Sequence, residues 1–327
     1  MKTNLTHKAL VAAETFSEVE VPTLQPTDRE VLVKIKAVSV NPVDFKVRPS
    51  RQGKILGWDA SGLIVAIGDQ VRNFKIGDSV YYAGDITKSG SNSEFQLVDE
   101  RLIGHKPKTL DDAEAAALPL TSLTAWESLF NRLEIDKIHS EKFVLIVGAA
   151  GGVGSMAIQM IKALTKHKVI ATASRKESED WCRSLGADFV INHNHDFTEE
   201  LKKINLSTVD YIFSTTHSDQ YQNEFPKIIK PQGKLCLIDD PKTFDIVPFK
   251  MKSISVHWEL MFTRSLFNTD DLEEQHKILE KVSELVDNGK LRTTSKIVLE
   301  GFNSENFEKA HELLQSGSTI GKISIKF

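Results

Sequence analysis

A cluster of glycines stands between a wholly apolar run and a run of helical period in the segment 143–161, FVLIVGAAGGVGSMAIQMI. The pattern Ala149-x-Gly151-x-x-Gly154 has the spacing of a dinucleotide-binding turn, with Ala in the first place. Small residues there allow a tight turn, close approach of a pyrophosphate and close helix packing, and the helix start offers unpaired N–H groups to phosphate. The segment predicts a cofactor loop, with a merely structural turn as the alternative. Its predicted binding residues are Ala149, Gly151, Gly152, Val153 and Gly154.

The residues that follow the second predicted strand bear on the choice of cofactor. NAD sites usually end this strand with a carboxylate, about 20 residues past the glycines, that binds the ribose 2′-hydroxyl. Here KVIATA runs into Ser174, Arg175 and Lys176. No carboxylate repels a 2′-phosphate, and a guanidinium could bind one. The pattern favours NADPH over NADH. Alternatively, Arg175 and Lys176 simply solvate a helix start.

The elements that must position these residues differ between the two halves of the chain. Short β-type runs separated by turn signals predict an antiparallel, barrel-like module at 31–40, 62–68 and 93–103. From about residue 122, strands and helices alternate, which predicts a doubly wound parallel sheet. The predicted strands are 143–147, 168–173, 188–191, 209–214 and 234–239, and the predicted helices lie near 153–165, 176–185, 197–204 and 219–229. Helices near 271–288 and 305–316 follow, and an alternating strand at 321–327 is expected to return to the first module.

Whole-chain composition narrows the class of protein. The 327 residues favour two domains. Lys plus Arg (41) nearly balances Asp plus Glu (45), and the net charge of −4 shows no basic surplus for nucleic acid. The two cysteines, Cys182 and Cys236, are too few for a disulfide framework or a structural zinc site. Neither a signal peptide nor a membrane span is evident, so a cytoplasmic protein is expected.

Several further motifs carry a resemblance that runs essentially end to end. They are AVSVNPVDFKVR (37–48), GWDASG (57–62), PLTSLTAWESL (119–129), LGADFVINH (185–193) and HWELMFTRS (257–265). With the glycine loop, they make the chain similar to the medium-chain dehydrogenase/reductase superfamily, within its zinc-free quinone oxidoreductase-like branch. The resemblance implies a Rossmann domain, 122–265, inserted into a chaperonin-10-like β-barrel catalytic domain, 1–121, to which 266–327 returns. It also implies a homodimer.

The resemblance also bears on the metal. Metal-dependent relatives bind catalytic zinc through two cysteines and one histidine, and the matching positions here hold Asn41, Trp58 and approximately Leu120. Asp44 and Asp59 remain, but zinc sites need about three ligands of the His, Cys or carboxylate kind. No metal is therefore expected. Without a Lewis acid, a quinone or α,β-unsaturated carbonyl is the favoured hydride acceptor, because conjugation spreads the developing charge.

Roles for individual residues follow from the resemblance. Asn41 and Asp44 are expected beside nicotinamide and substrate, with an ordinary Asn-Pro turn as the alternative. Thr124 is matched to a position near the carboxamide, with an ordinary helix residue as the alternative. Trp58 is matched to the vacated metal position, with a plain core tryptophan as the alternative. Where several quinone reductases carry a Tyr, this chain has Lys46. The proton donor therefore stays open among Lys46, Tyr82, His257, Arg264 and bulk water.

The HWELMFTRS segment is expected at the edge of the Rossmann sheet, where it could form a dimer interface. Met261 and Phe262, together with Trp58, Tyr82 and Arg264, are the predicted substrate pocket, and core packing is the alternative for the first two. The basic cluster Lys46, Arg48, Arg51 and Lys54 is expected to be solvated surface rather than an anion site. Two other functions stay open: a zinc-dependent alcohol dehydrogenase with unusual ligands, and a non-enzymatic NADPH-binding redox sensor.

Overall fold

The computed structural model describes residues 6–327, which form two compact units. One unit comprises the described residues up to Leu123 together with Phe262–Phe327, and the other is Thr124–Met261. The breaks lie within a few residues of those expected from the sequence, after 121 and after 265. Among residues 6–327, no helix combines the length and apolar character needed to cross a membrane.

The N-terminal segment consists mainly of short strands joined by turns. Its strands are β1 (Thr6–Val11), β2 (Ser17–Pro22), β3 (Glu30–Ser39), β4 (Ala60–Ile67), β5 (Ser79–Tyr82), β6 (Phe95–Asp99) and β7 (Ile103–His105). Its helices are α1 (Pro42–Val47), α2 (Asp112–Ala116) and α3 (Pro119–Trp126), with 3-10 turns at Arg48–Ser50 and Glu100–Leu102. Pro42 at the first turn of α1 suits a helix start, where the N–H it lacks would have no partner.

The central segment begins with a π-helical stretch, Glu127–Arg132, and a 3-10 turn, Ile135–Lys137. Its strands are β8 (Phe143–Val147), β9 (Lys168–Thr172), β10 (Phe189–Ile191), β11 (Val209–Ser214), β12 (Ile229–Leu237) and β13 (Ser255–Trp258). Its helices are α4 (Gly152–Leu164), α5 (Lys176–Ser184), α6 (Phe197–Lys203), α7 (Ser218–Tyr221) and α8 (Phe225–Ile228), and a 3-10 turn spans Val247–Lys252.

These six strands form one parallel sheet in the order β10-β9-β8-β11-β12-β13. Counted along the chain within this unit, the order is 3-2-1-4-5-6, the doubly wound arrangement of dinucleotide-binding domains. Strands covered on both faces are apolar throughout, as in β8, where four of five residues are buried. The predicted Rossmann sheet is confirmed.

One predicted helix of this unit, 219–229, was wrong as a single element. The structure has two four-residue helices there, α7 and α8. Pro226 lies in the first turn of α8 and has no N–H to donate to the preceding turn. A continuous helix through residue 226 would therefore lose a hydrogen bond and force the proline ring against the backbone.

The C-terminal segment completes the first unit. It comprises α9 (Thr263–Phe267), α10 (Glu274–Asp287), β14 (Ser295–Glu300), α11 (Ser304–Gln315) and β15 (Lys322–Lys326). β15 pairs antiparallel with β3, placing Ser324 opposite Ser39, and parallel with β14. The sheet runs β14-β15-β3-β4-β5-β7, with β6 also paired to β3. The predicted return of the terminal strand to the N-terminal module is thus confirmed.

Candidate active site

The glycine loop follows β8 and leads directly into α4. Gly148 has φ +74°, and a Cβ there would lie 2.4 Å from Thr215 Oγ1. At Gly154, a Cβ would lie 2.6 Å from Ala149 Cα and 2.7 Å from the carbonyl oxygens of Gly148 and Ala149. Gly154 therefore allows helix and loop backbones to pack closely. The sequence pattern began at Ala149 and missed Gly148, which is the residue in the left-handed conformation.

Gly151, by contrast, borders open space. The nearest atom to a Cβ at this position, outside its chain neighbours, is the Gly148 carbonyl oxygen at 3.5 Å, an ordinary contact. Gly151 precedes α4 in extended conformation, with φ −72°. The protein itself does not require glycine here, so the missing side chain leaves room for a ligand at the start of the helix.

The neighbouring strands hold this loop in place. The Gly148 N–H donates to Thr172 Oγ1 at 3.1 Å, and Thr215 Oγ1 donates to the Val147 carbonyl at 2.8 Å. β8 lies between β9 and β11, where the order of the sheet reverses, and ligands of such sheets bind beyond the carboxyl ends of the strands at that point. The loop, its anchors and the sheet order fit a dinucleotide, with its pyrophosphate at the N-terminus of α4.

Ser174, Arg175 and Lys176 follow β9 at the same end of the sheet, and all three are exposed. Lys176 Nζ pairs with Asp180 at 2.6 Å, one turn along α5. Arg175 immediately precedes α5 in extended conformation. The predicted 2′-phosphate residues therefore lie between the end of β9 and the first residue of α5, in the same unit as the glycine loop.

In the first unit, Asn41 and Asp44 meet at the start of α1. The Asn41 N–H donates to Asp44 Oδ2 at 2.7 Å. The Asn41 amide nitrogen, Nδ2, lies 2.9 Å from Asp59 Oδ2 and 3.3 Å from the carbonyl oxygens of Ser39 and Trp58. Both amide hydrogens therefore have acceptors within the protein. A substrate could take one only by displacing such an acceptor, so the structure favours a positioning role for Asn41.

Asp59 connects the segments that the resemblance matched to zinc ligands. Its Oδ2 accepts from Asn41 Nδ2 and from Lys322 Nζ, the latter at 2.9 Å, while its Oδ1 accepts from the Leu120 N–H at 2.8 Å. Trp58 precedes it in the chain. Positions 41, 58 and 120 thus converge on a carboxylate. Lys322, on the terminal strand, was missed by sequence reasoning.

The donor set at this point does not fit zinc. Asn41 and Trp58 supply neither thiolate nor imidazole, and Leu120 supplies only a backbone N–H, which is a donor. Asp59 is already held by three hydrogen-bond donors. Within residues 6–327, no group of three or more His, Cys, Asp or Glu side chains is arranged to hold a metal.

Asp44 is a carboxyl group that can hold and release a proton near neutral pH. Burial raises its pKa to about 7, opposed by the Asn41 N–H and by Lys322. Its Oδ1 is buried and lacks a hydrogen-bond partner among the described residues. A raised pKa at a buried carboxyl is typical of functional sites.

Replacing Asp44 by Asn should stabilise the folded protein, and more strongly at pH 8 than at pH 5. The carboxyl pKa is about 7 in the folded state against 3.8 as the unperturbed value, so ionisation favours the unfolded chain as pH rises between them. We expect D44N to raise the free energy of unfolding by about 2 kcal/mol at pH 5 and about 4 kcal/mol at pH 8. Urea unfolding at both pH values measures this. D69N, at an exposed position, is the matched control, and an equal gain for D44N at both pH values would contradict the assignment.

Apolar and aromatic groups lie beside this cluster. Trp58 is fully buried, its Nε1 donates to the Asp85 carbonyl at 3.3 Å, and its ring meets that of Phe262 edge to face with centroids 6.2 Å apart. Tyr82 is paired with Ala60 across β4 and β5, and its buried hydroxyl has no partner among residues 6–327. Burial raises the Tyr82 pKa, which keeps this hydroxyl a hydrogen-bond donor.

The other candidate proton donors differ in their surroundings. Arg264 is buried and bonds Asp271 through Nε at 3.0 Å, while Lys46 is exposed on α1. On β13 in the second unit, burial lowers the pKa of His257, which leaves its ring neutral at pH 7. Thr124 on α3 and Met261 are both buried in that unit.

The basic cluster is partly structural rather than wholly solvated. Arg48 donates to Glu308 at 2.6 Å and 2.9 Å and also to the carbonyls of Ala13 and Glu14. Arg51 donates to the Ile86 carbonyl at 2.7 Å and lies 5.5 Å from the centroid of the Trp58 ring. Lys46 and Lys54 are exposed. The expectation of a solvated charge run was therefore wrong for the two arginines, because each of them bonds to a distant segment of the first unit.

Comparison with known proteins agrees with both units. The family model described as alcohol dehydrogenase GroES-like domain matches residues 27–108, and that described as zinc-binding dehydrogenase matches residues 152–287. A zinc-type alcohol dehydrogenase-like protein from Staphylococcus epidermidis is 40% identical over 317 residues, covering 95% of this chain and 94% of the relative.

Two further proteins are informative. A crystal structure from Rhizobium etli CFN 42, provisionally named a zinc-dependent alcohol dehydrogenase protein, is 48% identical, covers 98% of both chains and has a TM-score of 0.95. The 2-methylene-furan-3-one reductase of Solanum lycopersicum is 39% identical over 200 residues, 57% of this chain and 50% of that protein. Together with the sheet order and the glycine loop, these matches show that the chain belongs to the medium-chain dehydrogenase/reductase superfamily.

Proposed function

We propose that this oxidoreductase uses NADPH to reduce a quinone or an α,β-unsaturated carbonyl without a metal. The observation that carries the proposal is the Asp59 cluster, in which an asparagine amide, a backbone N–H and a lysine ammonium surround a carboxylate. No group there acts as a Lewis acid on a carbonyl oxygen. A conjugated acceptor has less need of one, because its developing charge is delocalised.

The second unit supplies the cofactor site. The N–H groups at the start of α4, at Gly152, Val153 and Gly154, would bind the pyrophosphate, and Gly151 leaves space for it. Arg175, with Ser174 and Lys176, would bind the 2′-phosphate that distinguishes NADPH from NADH. When bound, the nicotinamide supplies a hydride. Thr124 is proposed as a contact of its carboxamide.

The first unit supplies groups for orienting substrate and moving a proton. The buried rings of Trp58 and Phe262, which meet edge to face, are proposed as an apolar wall that excludes water from the substrate. The Tyr82 hydroxyl, on the strand that pairs with β4, is the proposed hydrogen-bond donor to the substrate oxygen, since it is buried and without a partner among the described residues. Asp44 is proposed as the group that exchanges a proton near neutral pH. The Arg264 guanidinium, bonded to Asp271, is less suited to proton donation because it stays charged.

The name of the tomato relative, 2-methylene-furan-3-one reductase, supports the enone part of this proposal. A methylene group conjugated to a ring ketone is an activated carbon–carbon double bond. The names of the Staphylococcus and Rhizobium proteins refer instead to zinc and alcohols, and the donor set described above argues against carrying those properties over to this chain.

We also propose a homodimer formed through β13. This strand is the edge of the parallel sheet, and the apolar side chains of Trp258, its last residue, and of Leu260, two residues further on, are about half exposed, at 53% and 52%. An uncovered edge with apolar flanks is suited to pairing with a second copy. Light scattering on the purified protein tests this, and the mass of a single chain would contradict it.

The substrate proposal is tested by NADPH oxidation with metal-stripped protein. We expect turnover of 9,10-phenanthrenequinone and crotonaldehyde that a chelator does not reduce, and little or no turnover of a simple ketone. Activity lost to the chelator and restored by zinc would favour the alcohol dehydrogenase alternative. Tight NADPH binding without turnover of any acceptor would favour the redox-sensor alternative, and activity confined to the ketone would overturn the substrate argument.

A further inference from the structure

Lys322 places an ammonium group in the interior of the first unit. Its side chain is 5% exposed, and that of its partner Asp59 is fully buried. Lys322 Nζ lies 2.9 Å from Asp59 Oδ2, 2.5 Å from Asn41 Oδ1 and 2.7 Å from the Val40 carbonyl oxygen. An ammonium has three hydrogens to donate, and here three oxygens accept them. The site is therefore a complete cation site whose cation is tethered to β15.

This ammonium determines how Asn41 is oriented. Because Oδ1 accepts from Lys322, Nδ2 must face Asp59 and the carbonyls of Ser39 and Trp58. The opposite amide orientation would set hydrogens against the ammonium. Asn41 in turn donates its backbone N–H to Asp44 Oδ2. The contacts thus run from Lys322 through Asn41 to Asp44 without a gap.

The same ammonium opposes the effect of burial on Asp59. Burial raises the pKa of Asp59, and Lys322, the Leu120 N–H and the Asn41 amide oppose that effect. A buried carboxylate left without a cation is strongly unfavourable, whereas a complete pair with its remaining oxygens satisfied is tolerated. Asp59 can therefore join the start of α3 to the turn before α1 only while Lys322 is present.

We propose that Lys322 is a positioning residue whose ammonium cross-links residues 40–41 to Asp59, and through Asp59 to Leu120, and thereby holds Asn41 and Asp44 in their working geometry. It ties together the same chain segments that the resemblance matched to zinc ligands. The ammonium acts on its partners only through hydrogen bonds and charge. A free cation of similar size should therefore be able to replace it. The role in catalysis rests on the proposed function, whereas the cross-link itself does not.

The first experiment truncates the lysine and supplies the cation from solution. We expect K322A to lower the thermal midpoint by on the order of 10 °C and kcat at least about tenfold. Ammonium or methylammonium chloride should restore part of both, and tetramethylammonium chloride at equal ionic strength should restore neither. K322M fills the space with apolar atoms and should not respond to ammonium. K326A, on the exposed end of the same strand, is the matched control and should behave as wild type.

A second variant separates positioning from stability. D59N/K322M removes both buried charges and should recover most of the thermal midpoint, because neutral replacement of a buried pair is tolerated. We expect its NADPH binding and KM to stay near wild type and its kcat to remain at least about tenfold low. A double variant with wild-type kcat would overturn the proposal, as would K322A responding equally to ammonium and tetramethylammonium.

Failure of the proposed function would be recognised separately. If wild-type protein turns over none of the acceptors, the substrate proposal fails, while the thermal midpoints of K322A with and without ammonium still test the cross-link. Conversely, if the wild type is active and K322A keeps its stability and kcat, the proposed function stands and the proposed role of Lys322 is refuted.

Discussion

Replacing Gly151 by Ala is expected to weaken NADPH binding by about 100-fold while leaving the protein itself nearly as stable. The added Cβ meets only the Gly148 carbonyl oxygen, at 3.5 Å, so the folded chain accommodates it. At a helix start, Ala in place of Gly should cost no more than about 1 kcal/mol of stability. The methyl group would instead occupy the space proposed for the pyrophosphate. Losing two charge-assisted hydrogen bonds of about 1.5 kcal/mol each corresponds to the stated factor.

The measurement combines fluorescence titration with NADPH and thermal unfolding without it. G154A is the informative comparison, because its Cβ would lie 2.6 Å from Ala149 Cα and must displace backbone. We expect G154A to lose both stability and binding, and G151A to lose binding alone. If G151A binds NADPH as wild type does, the pyrophosphate does not lie at this loop and the cofactor proposal fails with it.

The Rossmann unit was largely predictable from the sequence because its signals are local. The apolar run of β8 and the predicted strand 209–214 both coincide with observed strands. The helix predicted near 153–165 is α4, Gly152–Leu164. Buried parallel strands are apolar on both faces, and the helices between them show a clear helical period. The failure at 219–229 arose where helical composition continued through Pro226.

The first unit was predicted less completely because its pairings are long-range. β14 was not predicted, and it pairs with a strand that begins more than 20 residues later. The β1–β2 hairpin was also not predicted, although its pairing is local. Alternation in β15 indicated a strand but would place Lys322 and Ser324 on its polar face. Both are buried, since Lys322 binds Asp59 and Ser324 Oγ donates to the Ala113 carbonyl.

The candidate site shows the same division between local and distant signals. Gly151 and Gly154 were identified because their spacing lies within one turn and one helix. Lys322 was missed because its partner Asp59 is 263 residues away in the chain. A lysine between Gly321 and an alternating apolar run gives no local sign of burial. The one available signal was indirect. Positions 41, 58 and 120 carry no zinc ligands, so Asp59 would lie in the interior without a metal, and a buried carboxylate needs a cation.

Replacing Arg175 by Asp is expected to reverse the preference between the two nicotinamide dinucleotides. In the wild type, the guanidinium lies in the exposed loop after β9, where a carboxylate would instead accept from the ribose 2′-hydroxyl of NADH. Loss of one charge-assisted bond to the 2′-phosphate costs about 2 kcal/mol, and the introduced repulsion adds to it. The ratio of NADPH to NADH affinity should therefore fall by at least about 100-fold.

Titration of R175D and R175A with each dinucleotide measures this ratio. Repeating the titrations with added salt shows how much of the ratio depends on the charge of the 2′-phosphate. The proposed preference of the wild type for NADPH should weaken as salt screens the proposed contact between Arg175 and the 2′-phosphate, whereas R175A should show little salt dependence of the ratio. K176A is the matched control: Lys176 already pairs with Asp180, so its removal should change the ratio less than that of Arg175. If the wild type binds NADH as tightly as NADPH, the glycine loop can still be the nucleotide site, but the proposal that Arg175 selects NADPH fails.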